Sequence, residues 1–151
     1  MYSTLLWIHS WWRWAIVIAV ALALFEAWSG WLGGRHHGKR SRILNAAAVG
    51  TMDLQLLVGA VLYFISPLTS TAFANMGAAM KNPPLRFFTV EHGPTMVLVL
   101  VLMHLGSARA KRGATDTARH RTAAIWFTVA TVLMLLAVPW PSYDVGRPLF
   151  R

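Results

Sequence analysis

Four long apolar runs, separated by short polar stretches, set the pattern of this chain. The first extends from about Leu5 to Trp31, the second from about Ile43 to Ser66, the third from about Phe87 to Ser107 and the fourth from about Thr122 to Trp140. A helix needs roughly 20 apolar residues to cross a hydrocarbon layer about 30 Å thick, so each run is long enough to span a bilayer. Trp7, Trp11, Trp12 and Trp14 crowd one end of the first run and Trp28 and Trp31 the other, the positions that interfacial tryptophan favours. Nothing basic precedes that run and no small-residue cleavage site follows it, so it reads as a retained span and not a signal peptide. The segment from Pro67 to Arg86 is polar and alanine-rich, with room for a short surface helix over residues 72–80. The pattern predicts an all-α protein: an integral membrane, antiparallel four-helix bundle forming a single domain.

Composition strengthens this reading. Hydrophobic residues make up 56% of the 151 positions and charged ones only 13%, which is too apolar for a soluble domain of this size. The formal net charge of +9 does not point to nucleic acid. Its arginines and lysines gather in two short loops, Gly33–Arg42 and Arg109–Arg121, which both fall between an odd and an even span. The positive-inside rule then places both loops in the cytoplasm and both termini outside, as expected of a multi-pass protein of a bacterial inner membrane. There is no cysteine. Disulfides, thiolate metal sites, iron–sulfur clusters and thioether-linked haem are therefore excluded.

Ionisable groups within spans are the candidates for function. His9 and His92 lie four to five residues inside the outer ends of the first and third runs, roughly 6–8 Å deep at about 1.5 Å per residue. Two histidines on different helices at one level match the needs of a six-coordinate b-type haem, which takes one imidazole on each face. The plainer reading is a pair of interfacial histidines bonded to backbone carbonyls. Arg13, one turn below His9, and Arg86, above His92, are candidate partners for haem propionates. An ion pair of Arg13 with Glu91 is the alternative for the first. Met96, Val99 and Met103 form a stripe after His92 that reads as packing. Gly59 and Gly93 permit close approach of a helix or a flat ring.

A possible second site comprises Asp53 and His104, which with Gln55 would form either a polar path for protons or a quinone headgroup, or an interhelical hydrogen-bond cluster. Twelve residues separate His92 from His104, about 120° around a helix, so the two do not share a face unless Pro94 distorts the first turn. Spacing thus favours one haem, although an inner one using His104 with a loop histidine such as His120 or His36 stays open. His36, His37 and His120 lie in the basic loops and are expected to be solvated.

The segments LLWIHSWWRW around His9, LQLLVGAVLYFISP, MGAAMKNPPLRFFTVEH and the terminal PWP and GRPLF resemble the small four-helix bacterial membrane proteins labelled cytochrome B. The resemblance runs through nearly the whole chain. It implies a b-type haem protein with His9 and His92 as ligands and leaves room for two haems. Asp53 stands where relatives often have histidine, which puts an inner haem at that position in doubt. The expectation is a membrane cytochrome that transfers electrons, with quinone, a redox partner protein or a second copy of itself as possible partners besides the lipid bilayer. Two alternatives stand beside it: a haem-free permease or a proton- and quinone-handling protein using Asp53 and His104, and a structural subunit of a respiratory or photosynthetic complex.

Overall fold

The computed structural model describes residues 1–150. Helix α1 spans Tyr2–Leu32 and α2 Lys39–Ile65. Three short helices follow, α3 (Pro67–Ala74), α4 (Met76–Ala79) and α5 (Pro83–Arg86), where the sequence predicts one short helix over residues 72–80. A π-helical turn over Phe87–His92 leads into α6 (Gly93–Lys111), and α7 covers Asp116–Ala137. No strand occurs among the described residues. Four segments, Tyr2–Leu32, Lys39–Ile65, Pro83–Lys111 and Asp116–Ala137, are long and apolar enough to cross a membrane.

Local chemistry explains where these elements stop. Ser66 is extended, as a residue before proline prefers, which ends α2, and its hydroxyl accepts from the Leu68 amide to start α3. Asn75 and Asn82 cap the next two helices in the same way. Thr115 accepts from the Ala118 amide at the start of α7, with Asp116 in its first turn. That cap lies inside the second basic loop and starts the helix six residues before the apolar run, so His120 is helical. Val138, extended before Pro139, ends it.

The four long helices form a ring. Helix α1 packs on α2 and α7, and α6 packs on the same two, so α1 and α6 stand diagonally across the bundle. Ile16, Val20, Met52, Val99, Met103 and Phe127 fill the middle. Toward the two basic loops the core shrinks to Ala27, Ala110, Ala123 and Ala124, with Trp31 beside them. Gly106 belongs to the same closure, since a Cβ there would lie 2.4 Å from Trp126 Cβ. Small residues let helices approach closely in lipid, where dispersion and packing replace the hydrophobic effect. Leu57, Phe64 and Leu136 face outward and are largely exposed, an apolar exterior suited to acyl chains. The bundle is thus pinched at the basic end and open at the other.

Candidate functional site

The open end holds a cavity of about 560 Å³, lined mainly by apolar groups of α1, α2, α6 and α7, with His9, His92, Arg13, Gln55 and Tyr63 among its polar walls. That is within the usual range of roughly 300–1,000 Å³ for a small-molecule or cofactor site. His9 and His92 enter it from the diagonal helices, with ring centroids 6.3 Å apart and ring planes at 75°. Imidazole–metal bonds are about 2 Å long, so two rings on opposite sides of one ion hold their centroids about 6 Å apart. The two rings thus lie at one level, as expected from sequence, with a spacing that would admit one metal ion between them.

Neighbours orient both rings. His92 Nδ1 lies 2.8 Å from the Ala137 carbonyl on α7. A carbonyl only accepts, so Nδ1 carries the proton and the lone pair of the neutral ring sits on Nε2. His9 Nδ1 is buried without a hydrogen-bond partner, an unusual cost inside a protein. Gln55 Nε2 donates to the His9 backbone carbonyl at 2.9 Å and ties α2 to α1 at this level. Gly59 faces the His9 ring, where a Cβ would come within 3.1 Å of Cε1. Gly93 faces Tyr63, whose hydroxyl donates to the Thr89 carbonyl. Both glycines thus serve close approach of side chains. Met96 lines the cavity, whereas Val99 and Met103 below it are core.

The cations differ from the sequence-based expectation. Arg13 lines the cavity and donates to the Leu149 carbonyl at 2.6 Å, and the carboxylate of Glu91 is held by another residue. That residue is Arg86, whose Nε is 2.6 Å from Glu91 Oε1 in an exposed pair. The π-turn explains the pairing, because residues five apart come one above the other when the backbone bonds run i to i+5. Arg86 lines a separate pocket of about 350 Å³ beside Tyr143 and Asp144. It does not reach the histidine cavity. Arg147 does, with its guanidinium over the Phe88 ring at 5.0 Å. The C-terminal segment, read from sequence only as a short polar tail, folds back over the cavity mouth and stacks Phe150 on Trp14 at 5.5 Å. Arg147 and Phe150 were legible only as part of the GRPLF motif.

Asp53 and His104 do meet, at 2.8 Å between Oδ1 and Nε2, but on the outward face of α2 and α6, with side chains 40% and 54% exposed. Gln55, about 200° around α2 from Asp53, faces His9 instead, so the three do not line one path. His36 is exposed and bonded to Asp116 at 2.7 Å. The expectation that the other loop histidines are solvated fails. His120 is fully buried and His37 nearly so, with ring centroids 4.8 Å apart. Burial, and then the neighbouring His120 ring, holds the His37 imidazole below the usual histidine range. The missed signal for His120 is Gly30 on α1, which leaves the space that the ring fills.

Among the described residues no group of three or more His, Cys, Asp or Glu side chains is gathered to hold a metal ion. The His9–His92 pair alone is too few donors for a typical bare ion, but suits a metal that brings its own equatorial ligands in a flat macrocycle. Comparison with protein-family models, with curated proteins and with solved structures finds no match to this chain.

Proposed function

We propose that this protein is a membrane b-type cytochrome, with haem held non-covalently between α1 and α6 and electrons passed through it. The observation that carries the reading is the His9–His92 pair, 6.3 Å apart across an apolar cavity. Haem when bound supplies a one-electron couple, and the protein tunes it through its ligands, the hydrogen bonds that orient them and the local dielectric. The residues present fit the group. His9 and His92 would hold the haem iron, the Ala137 carbonyl would orient His92, and Gly59 leaves space beside His9. Arg13 and Arg147 would receive the propionates at the mouth, where charge and solvent are near. The apolar lining would keep water from the bound group and lower the local dielectric. Resemblance to the small membrane cytochromes supports the same assignment. The Lys and Arg asymmetry supports a bacterial inner membrane with the cavity end outside, where quinol or a partner protein would exchange electrons.

A visible spectrum of the purified protein tests this. The expected result is a sharp Soret band that shifts on dithionite reduction, lost in His9→Ala and in His92→Ala but kept in His36→Ala. A protein that stays colourless after haem addition, or an unchanged low-spin spectrum in either cavity variant, would overturn it.

A further inference from the structure

The seam between α2 and α6 carries a polar pair on the outside of an apolar bundle. Asp53 Oδ1 and His104 Nε2 lie 2.8 Å apart there, with about half of each side chain uncovered. Asp53 stands ten residues inside the second apolar run. At about 1.5 Å per residue that is about 15 Å, near the middle of a hydrocarbon layer about 30 Å thick. The contact uses one carboxyl oxygen and one ring nitrogen; Asp53 Oδ2 and His104 Nδ1 bond to nothing else among the described residues. Lipid tails offer neither donor nor acceptor, so both atoms stay unsatisfied in a lone chain. A net charge at this depth is costly, which leaves two neutral forms of the pair. One is carboxylate beside imidazolium, the other a carboxylic acid donating to the neutral ring. In both, Nδ1 carries a proton and Oδ2 accepts. The seam therefore presents a free donor on α6 beside a free acceptor on α2, at one depth.

We propose that a second copy of this chain docks on the α2–α6 seam, with His104 of each copy donating to Asp53 of the other. The argument is one of symmetry. Copies inserted by the same loop charges share one orientation, so a twofold axis relating them lies along the membrane normal. Rotation by 180° about that axis sets α6 of one copy opposite α2 of the other. Each free Nδ1–H then faces a free Oδ2, twice over, because the two residues lie at the same depth. No other occupant is matched by the seam to itself in this way. The surface around the pair suits a helix neighbour. Gly50, one turn from Asp53, faces outward, and a Cβ there would meet nothing within 4 Å. Ala108, one turn from His104 toward the same end, is exposed as well. Toward the other end Leu57 and Val101 are exposed beside the pair. Small residues admit close approach, and polar groups bonded across helices then hold the contact in lipid. The proposal is independent of the haem reading, because it uses neither the cavity nor its histidines.

The test is energy transfer between full-length chains labelled at the amino terminus with donor or acceptor, mixed in phosphatidylcholine vesicles and diluted with added lipid. Transfer that fits a dimer is expected for the unaltered chain. Asp53→Ala and His104→Ala, each paired with itself, should weaken association about tenfold, since both bonds across the axis are lost. Asp53→Ala mixed with His104→Ala regains one of the two bonds and should associate about threefold more tightly than either alone. A purely internal role for the pair predicts no such rescue. Gly50→Leu keeps both polar groups and adds a side chain into open space, so it should weaken the dimer about tenfold and leave the fold intact. It keeps the test decisive if the other variants are poorly folded. Val129→Leu, on the exposed side of α7, should change nothing. A monomer at every dilution, which would leave the seam to lipid or to a different protein, overturns the proposal. So does unchanged association in Gly50→Leu, or the absence of rescue in the mixed pair.

Discussion

A histidine's role in this protein follows from the face of the helix that carries it. His92 and His104 share one span, yet the first points into the cavity and the second lies on the outer face against Asp53. Their separation of about 120° is what twelve residues at 100° each produce. The outward pair neutralise each other's polarity at a lipid-facing position, which lowers the cost of placing either there alone. Arg13 places a charge on the wall of the cavity. Under the cytochrome reading, Arg13→Gln should lower the haem midpoint potential by tens of millivolts, since a nearby cation stabilises the more electron-rich reduced form. Redox potentiometry on the purified variant checks this; an unchanged or raised potential would separate Arg13 from the site.

At the scale of elements, the third span matters most. Pro83 to Lys111 runs as one rod, but its entry is short α-helix, then π-turn, then α-helix. The π-turn stacks Arg86 on Glu91 and delivers His92 to the Ala137 carbonyl, so it sets both a surface ion pair and the orientation of a candidate ligand. Pro94 sits in the first turn of α6, where its missing N–H is tolerated. Farther along, α6 meets α7 at Gly106 and Trp126. The contact there is to Trp126 Cβ, which no rotamer change can move away. Gly106→Val should therefore part the two helices and destabilise the bundle by about 1–3 kcal/mol, the usual cost of overpacking. A lowered thermal midpoint in detergent is the expected measurement. A midpoint equal to that of the unaltered protein would mean the two helices are not clamped at this point.

For the whole molecule, the two ends differ in kind. One is wide and aromatic, with a tail folded back over its open mouth. The other is narrow, alanine-lined and basic. The arginines and lysines of the two short loops predict that this narrow end faces the cytoplasm. A reporter active only outside the inner membrane should therefore work when fused after residue 150 and fail when placed in the loop at residue 113. The opposite pattern would invert the topology and put the histidine cavity on the cytoplasmic side.

Four helices, their approximate limits and the pairing of His9 with His92 were legible in the sequence because each rests on a one-dimensional quantity. Run length against bilayer thickness gives the spans, and residues counted from a span end give depth. Helix starts were less legible, because α2 and α7 begin within basic stretches whose charge masks their helicity. Which arginine reaches the cavity was decided by the fold, since a π-turn changes the neighbour of Arg86 and a returning tail brings Arg147 from far along the chain. Burial of His37 and His120 was decided the same way: loop composition suggested solvent, and a glycine on another helix made room for a ring. Depth along a helix axis accumulates residue by residue and can be counted, whereas rotation and closure depend on what the neighbouring helices leave open.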